Sequence, residues 1–159
     1  MIEIRAVTNR DSEDIWRIWN EVIDDGNAFS SDASVPKAEV VEMWTKGDSY
    51  VAVLDGHIAG AYSLFPLHRG RQQHVADACY MVARAFRRKG IGALLAQHSL
   101  NEAKRKGFSA MQFNCVVSIN EPALHLWKKL GFKIIGTVPQ AFKHPRVGLV
   151  DTHIMHRFL

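Results

Sequence analysis

The sequence predicts a layered α/β fold on one mixed, largely antiparallel sheet. Seven apolar or alternating runs read as strands and four segments have helical periodicity. Their order is β-α-α-β-β-β-α-β-α-β-β. The length, 159 residues, suits one domain over residues 1–159. Apolar residues make up 47% and charged residues 23%, an ordinary globular balance with enough apolar mass for a core.

Each element has its own signal. IEIRAVT alternates apolar and polar residues, as a half-buried strand does. In DSEDIWRIWNEVIDD, Ile15, Ile18, Trp19 and Val22 fall at helical spacing, with Asp11 or Ser12 to cap the start. GNAFSSDASV has no period and reads as a loop. Pro36 suits the first turn of a short helix through Lys46, with Val40, Val41 and Trp44 on one face. SYVAVLDGHIAGAYSLFP is two strands joined at Asp55-Gly56, a strong hairpin signal. HVADACYMVA is a further apolar strand. A helix follows from Gly90 to Lys106, with Ile91, Leu94, Leu95 and His98 aligned, and SAMQFNCVV is the next strand. NEPALHLWKKLG is a short helix with Asn120 as cap, Pro122 in its first turn and Gly131 at its end. FKIIGTV and GLVDTHIMHRFL are the last strands, separated by the loop PQAFKHPR. There is no internal repeat, low-complexity segment or linker.

The bulk numbers exclude several classes. Formal charge is +4 and the isoelectric point about 9.2, an excess that suits an anionic ligand without demanding nucleic acid. A nucleic-acid surface would need AFRRKG and KRK in one stripe beside exposed aromatics, and most aromatics here fall on apolar faces. Cys79 and Cys115 sit inside apolar runs and form no C-x-x-C pair, which argues against a disulfide scaffold or a structural zinc site. The eight histidines show no H-E-x-x-H or paired spacing, so no metal is expected. No signal peptide and no apolar run of bilayer length is evident. A soluble, cytoplasmic protein without a membrane partner is the expectation.

The stretch RRKGIG, Arg87 to Gly92, puts three cations and two glycines where a strand gives way to a helix. The first N–H groups of a helix lack partners, and with the helix dipole they attract anions. Gly90 and Gly92 have no side chain to block a close approach, and arginine suits phosphate geometry. The stretch therefore reads as a phosphate or pyrophosphate cradle. The alternative is a solvated basic turn in which Gly90 only starts the helix. P-loop spacing is absent, and the dinucleotide fingerprint fails because Leu95 stands where its third glycine belongs.

Val82 to Gly92 fit V-x-x-x-x-R-x-x-G-x-G, which resembles the acyl-CoA-binding motif of the GNAT superfamily of N-acetyltransferases. Asn120 to Phe132, NEPALHLWKKLGF, resembles that family's N-x-x-A-x-x-L-Y-x-K-x-G-F segment. One helix and one strand separate the two blocks, as in the family, and the element order matches over nearly the whole chain. The resemblance implies a seven-stranded sheet splayed between strands 4 and 5, flanked by about four helices. It implies acetyl-CoA as acetyl donor and no metal. The pantetheine arm would lie in the splay, on the backbone around Met81 and Val82. The pyrophosphate would sit on backbone N–H groups of Arg87, Arg88, Lys89, Gly90, Ile91, Gly92 and Ala93. Asn120 would hydrogen-bond the arm, and Lys128 could reach a coenzyme phosphate. Trp127 stands where the family often has a tyrosine.

The implied reaction is direct attack of an amine on the thioester, with backbone N–H near Val82 stabilising the oxyanion. A protonated amine must first lose a proton. Asp77, five residues before Val82, is the first candidate base; capping a strand edge or pairing with an arginine is the alternative. His74, acting through water, is a second candidate on the strand's exposed start. Tyr80 is either a proton relay or a core tyrosine. The family's usual general acid is the tyrosine that Trp127 replaces, and an indole N–H only donates. Trp127 then packs against the acyl arm or the core, and the thiolate leaves unprotonated or takes a proton from water. That departure keeps open a non-catalytic acyl-CoA sensor on the same fold. An acyl-cysteine route needs an activated thiol, whereas Cys79 and Cys115 read as buried small hydrophobes.

The acceptor site is expected from DDGNAFSSDASV, PLHRGRQQHV and PQAFKHPRVG. Phe29, Ser30, His144 and Arg146 are its candidates, with Arg146 or Arg69 able to bind a carboxylate. Asn114 interrupts an apolar strand, and either lines the slot or finds partners in the core. IWNEVIDDGNAF and FKHPRVGLVDTHIM resemble small-molecule members of the superfamily, including those acting on amino acids and their analogues. The expected acceptor is a primary or secondary amine of a small molecule, with peptide or protein N-termini as the alternative. The strand LVDTHIMHRFL could serve a homodimer, as late strands do in many members.

Overall fold

The computed structural model describes all residues, 1–159. Its elements are β1 (Ile2–Ala6), α1 (Ser12–Asp25), α2 (Lys37–Thr45), β2 (Asp48–Leu54), β3 (His57–Pro66), β4 (Val75–Val82), α3 (Ile91–Arg105), β5 (Ala110–Val117), α4 (Glu121–Lys129), β6 (Lys133–His144) and β7 (Gly148–Phe158). Short 3-10 turns stand at Asn9–Asp11, Gly70–Gln72 and Arg84–Phe86. The seven strands form one sheet in the order β1-β2-β3-β4-β5-β7-β6. Every neighbouring pair is antiparallel except β4 and β5. The mixed, mostly antiparallel sheet with four helices is thus the one the pattern predicts. No helix is long and apolar enough to cross a membrane.

The helices cover both faces. On one face, α1 buries Ile15, Ile18, Trp19 and Val22, and α2 adds Val40 and Trp44. They pack on Val51, Ala61 and Met81 of the sheet, while Val41 is only half-buried. On the other face, Ile91, Leu95 and Leu100 of α3 and Leu124 and Trp127 of α4 pack on Tyr62, Ala78, Met111 and Phe113. Leu94 drops out of the apolar stripe and is exposed, and half-buried His98 shares a 2.7 Å hydrogen bond with the Tyr62 hydroxyl. The β2–β3 hairpin turns at Asp55 and Gly56, both at positive φ (50° and 77°), as a two-residue turn of this hand requires.

Two expectations are corrected. Asp11 does not cap α1 through its side chain. Its carboxylate accepts the Thr8 N–H at 2.7 Å and pairs with Arg5 at 2.8 Å, which fastens β1 to the turn before α1. The segment PQAFKHPR is not a loop, because β6 runs on to His144 and the turn falls at residues 145–147. Between Val138 and Phe142 the register shifts, so three residues face Asp151 alone, and Gln140 takes φ 52° and donates its N–H to Asp151 at 2.9 Å. Pro139 within this stretch has no N–H to give a partner strand, and β6 is the sheet's edge, where proline is tolerated.

Two features of the sheet place the site. The strands β4 and β5 pair only at Val75–Ala110 and Ala76–Met111. Beyond Ala76 the ladder ends although β4 continues to Val82 and β5 to Val117, so the sheet splays open from Asp77 onward. Gly60 of β3 lies beneath the start of α3: a Cβ there would stand 2.7 Å from the Met81 carbonyl and 3.2 Å from Ile91 Cγ2. The missing side chain lets the N-terminus of α3 sit close against β3 and β4, at the wide end of the splay.

Candidate active site

The splay holds a cavity of about 390 Å³, lined among others by Asp77, Tyr80, Val82, Gly92, Phe113, Asn120 and Trp127. Along β4, odd-numbered residues turn their backbone toward β3, as the bonds Val75 O to Leu67 N and Ala83 N to Ala59 O show. Tyr80 and Val82 therefore turn theirs to the splay. Met81 contributes no side chain here, being buried in the core beneath α1 and α2.

At the wide end lies the cationic turn. Arg88 and Gly90 both have positive φ (62° and 77°), and Gly90 is the N-cap of α3. No backbone N–H from Arg88 to Ala93 has an acceptor within the chain. Ile91 itself is buried, Ala93 is exposed, and Gly92 lines the cavity, where a Cβ would find Val82 Cγ2 at 3.8 Å and Leu126 Cδ2 at 3.9 Å. Lys89 lies over the Phe86 ring at 5.1 Å. Arg87 donates to Asp25 at 2.6 Å and more weakly to the Val82 carbonyl at 3.4 Å. Unpaired N–H groups beside exposed cations fit a pyrophosphate, and the largely apolar splay fits an acyl-pantetheine arm. These residues would hold an acyl-CoA, which supplies an activated thioester carbonyl.

Asp77 opens the narrow end. No cation pairs with it, and its one partner is the neighbouring Ala78 N–H, 2.7 Å from Oδ1. Burial lifts its carboxyl to about 6, with that hydrogen bond opposing. Tyr80 points elsewhere: its hydroxyl shares a 2.7 Å hydrogen bond with Ser99 of α3 and lies 3.7 Å from Met111 Sδ, and burial raises its phenol. Trp127 is buried, with its ring 4.9 Å from Tyr80 and 4.6 Å from Phe113. It is both core and cavity wall.

A second cavity, about 880 Å³, lies between the end of α1, the loop after it and the late part of β6. Its lining includes Glu21, Asp24, Phe29, Ser30, Arg84 and Lys143. Phe29, Ser30 and Cys115 line both cavities, so the groove and the splay meet at these residues. The loop is held there from three sides. Trp19 packs on Phe29 with ring centroids 5.1 Å apart. Asn120 Nδ2 donates to the Asn27 carbonyl at 3.0 Å. Gly26 sits so close to Pro145 that a Cβ would stand 2.5 Å from its Cγ. Asn114 and Cys115 face the cavity because β5 bulges there: two residues between Phe113 and Val116 oppose one on β7. Asn114 is exposed and its Oδ1 accepts from Gln112 at 2.8 Å.

The remaining candidates lie apart. Asn120 caps α4, its Oδ1 accepting the Ala123 N–H at 3.3 Å. Lys128 is exposed on α4 and His74 is exposed ahead of β4; neither lines these cavities. Arg146 is exposed in the β6–β7 turn, outside both linings, and its N–H donates to Nδ1 of buried His144 at 3.2 Å. Sequence patterns missed Asp25, Arg84 and Lys143. Asp25 and Arg84 carried no signal, because the partners lie 59 residues apart in the chain. Lys143 carried none either.

Comparison with known proteins agrees with this geometry. Residues 14–132 match the family described as acetyltransferase (GNAT) family. A GCN5-related N-acetyltransferase from Kribbella flavida superposes with a TM-score of 0.95 at 38% identity, over 99% of this chain and 98% of that one. N-acetyltransferase aca1 of Schizosaccharomyces pombe is 34% identical over 98 residues, 61% of this chain and 47% of that protein. N-alpha-acetyltransferase 50 of Danio rerio is 33% identical over 75 residues, 46% of this chain and 43% of that protein. The chain thus spans less than half the length of these curated relatives.

Proposed function

Because the chain belongs to the acetyltransferase (GNAT) family, we propose that it transfers an acetyl group from acetyl-CoA to the amine of a small molecule. An amino acid or an analogue is the favoured acceptor, attacking directly in a ternary complex. The observation that carries this reading is the junction: the splay and the acceptor groove share Phe29, Ser30 and Cys115. An amine in the groove can meet a thioester in the splay there. Asp77 lies in the same cavity wall with no competing cation, and burial lifts its carboxyl to about 6, which suits a base that takes the amine's proton. The Val82 N–H turns to the splay by strand alternation, which supports it as the donor to the oxyanion. Tyr80 has its hydroxyl on Ser99, so it serves as packing under the arm rather than as a relay. Trp127 offers no exchangeable acid and shapes the wall, leaving the thiolate to water.

A homodimer through the late strands is part of the reading, supported by the exposed Ile135 of β6, Leu149 of β7 and Val147 between them. A second reading, acetylation of peptide or protein N-termini, is favoured by the likeness to N-alpha-acetyltransferase 50. Free-thiol release from acetyl-CoA, measured across amino acids, polyamines, aminoglycosides, arylamines and short peptides, decides between them. Turnover of one small-amine class supports the proposal. Turnover of peptides alone supports the second reading. Acetyl-CoA binding without any turnover would favour a sensor instead.

A further inference from the structure

Three cations line the acceptor groove, and two of them are held by acids. Arg17 takes Asp14 at 2.8 Å and Glu21 at 3.2 Å. Arg84 takes Asp25 at 2.8 Å and Asp24 at 3.2 Å. Asp32 has no cation partner; its carboxylate accepts from the N–H and hydroxyl of Ser34 at the loop edge of the groove. Lys143 lines the groove and makes no ion pair or side-chain hydrogen bond.

Its place is fixed by its neighbours. Phe142 and His144 on either side are buried, and Pro145 lies against Gly26 at the end of α1. This anchoring holds β6 against the loop that carries Phe29 and Ser30. We propose that Lys143 is a specificity residue that holds a carboxylate of the acceptor, so that the acceptors are free amino acids rather than simple amines, polyamines or amidated peptides. The inference rests on the acetyl-transfer reading above and deepens it. A carboxylate finds in Lys143 the one groove cation that no protein acid already neutralises. A second ammonium, as in a polyamine, would meet like charge there. Arg146, in the turn of this hairpin, is outside the groove lining.

The test assays the full chain with acetyl-CoA against the common L-amino acids, their carboxamides and their decarboxylated amines. Acetyl-CoA affinity is measured by calorimetry in parallel. The free acids are expected to exceed both neutral counterparts by about three- to fivefold in kcat/KM, the upper scale of one ion pair at an exposed site. K143A should raise acceptor KM by about the same factor and erase that preference, with kcat and acetyl-CoA affinity within about twofold of wild type. K143R should retain the preference. Lys143 is exposed, so both variants should fold with unchanged Tm. Equal use of acids and carboxamides, persistence of the preference in K143A, or turnover of the neutral amines with none of any free acid would each overturn the proposal and leave the acetyl-transfer reading standing. Failure to bind acetyl-CoA would remove both.

Discussion

The two sides of the junction are built on different principles. The donor side is backbone: unpaired N–H groups from Arg88 to Ala93, a glycine that lines the wall, and a strand edge left open where pairing stops at Ala76. The acceptor side is side chains gathered from α1, the loop after it, the turn at Arg84 and the far end of β6. Backbone geometry is shared by any sequence that forms the same turn, so the donor side suits one invariant ligand. Side chains change freely on the same frame, so the acceptor side can be respecified without disturbing the sheet. The contact between the sides is electrostatic: Asp25 accepts from Arg87 of the cradle and from Arg84 of the groove. Burial opposes its charge, but hydrogen bonds from the two arginines outweigh that and hold its carboxyl below the ordinary range.

The largest expected effect breaks the donor side alone. Gly92→Trp fills the wall where Val82 and Leu126 approach, and should weaken acetyl-CoA binding on the order of 100-fold or more by calorimetry. Gly92→Ala meets only ordinary contacts at 3.8 and 3.9 Å and should bind within a few-fold of wild type, of the order of 1 kcal/mol at most. Equal loss in both variants would mean that the helix start, not the space, had been damaged.

Next in size is Asp77→Asn. It should lower kcat on the order of 100-fold while acetyl-CoA affinity holds, since the amide cannot take a proton. It also has a signature in stability. Burial raises the carboxyl from its ordinary 3.8 to about 6, so folding favours the protonated form. Stability is therefore lost as pH rises from the ordinary range through about 6. The asparagine variant should lack this loss and melt above wild type at pH 8. A lower Tm at pH 8 would show that the carboxylate is needed for the fold.

Asp25→Asn sharpens the comparison by cutting the contact between the sides. Arg87 then has no competing anion, and acetyl-CoA should bind about two- to fivefold more tightly, with the gain shrinking at high salt. Weaker binding would mean instead that Asp25 positions Arg87 for the phosphate. The smallest effect is expected at the thiols. Burial pushes Cys79 up to about 12, whereas Cys115 is exposed on the bulge of β5 and not buried as its apolar run suggests, with partial desolvation still raising its thiol. Replacing either by alanine should leave kcat within about threefold if the amine attacks directly. Loss of activity in Cys115→Ala, with a trapped acyl-enzyme in wild type by mass spectrometry, would demand a two-step route.

Legibility followed the same division. RRKGIG could be read as an anion cradle because a helix N-terminus, its cations and its glycines are neighbours in the chain. Asn120, Pro122 and Gly131 marked the limits of α4 for the same local reason. PQAFKHPR was misread as a loop because glycine-free irregular strands look like coil: only pairing with β7 reveals that the bulge at residues 139–141 continues the strand. Asp11 looks like a helix cap in the sequence because its true partner, Arg5, is set by the path of β1.

What the sequence by itself determined was the element order, the mixed sheet and the cationic, glycine-bearing start of α3, since periodicity, turn residues and helix-start chemistry act over a few positions. What only the tertiary structure decided was the acceptor side. Asp25 reaches Arg84 and Arg87, Asn120 reaches Asn27, Pro145 reaches Gly26, and Lys143 is left unmatched, each because packing joins segments distant in the chain. The raised carboxyl of Asp77, at about 6, belongs there too: its residue type is written in the sequence, but its burial exists only in the folded chain.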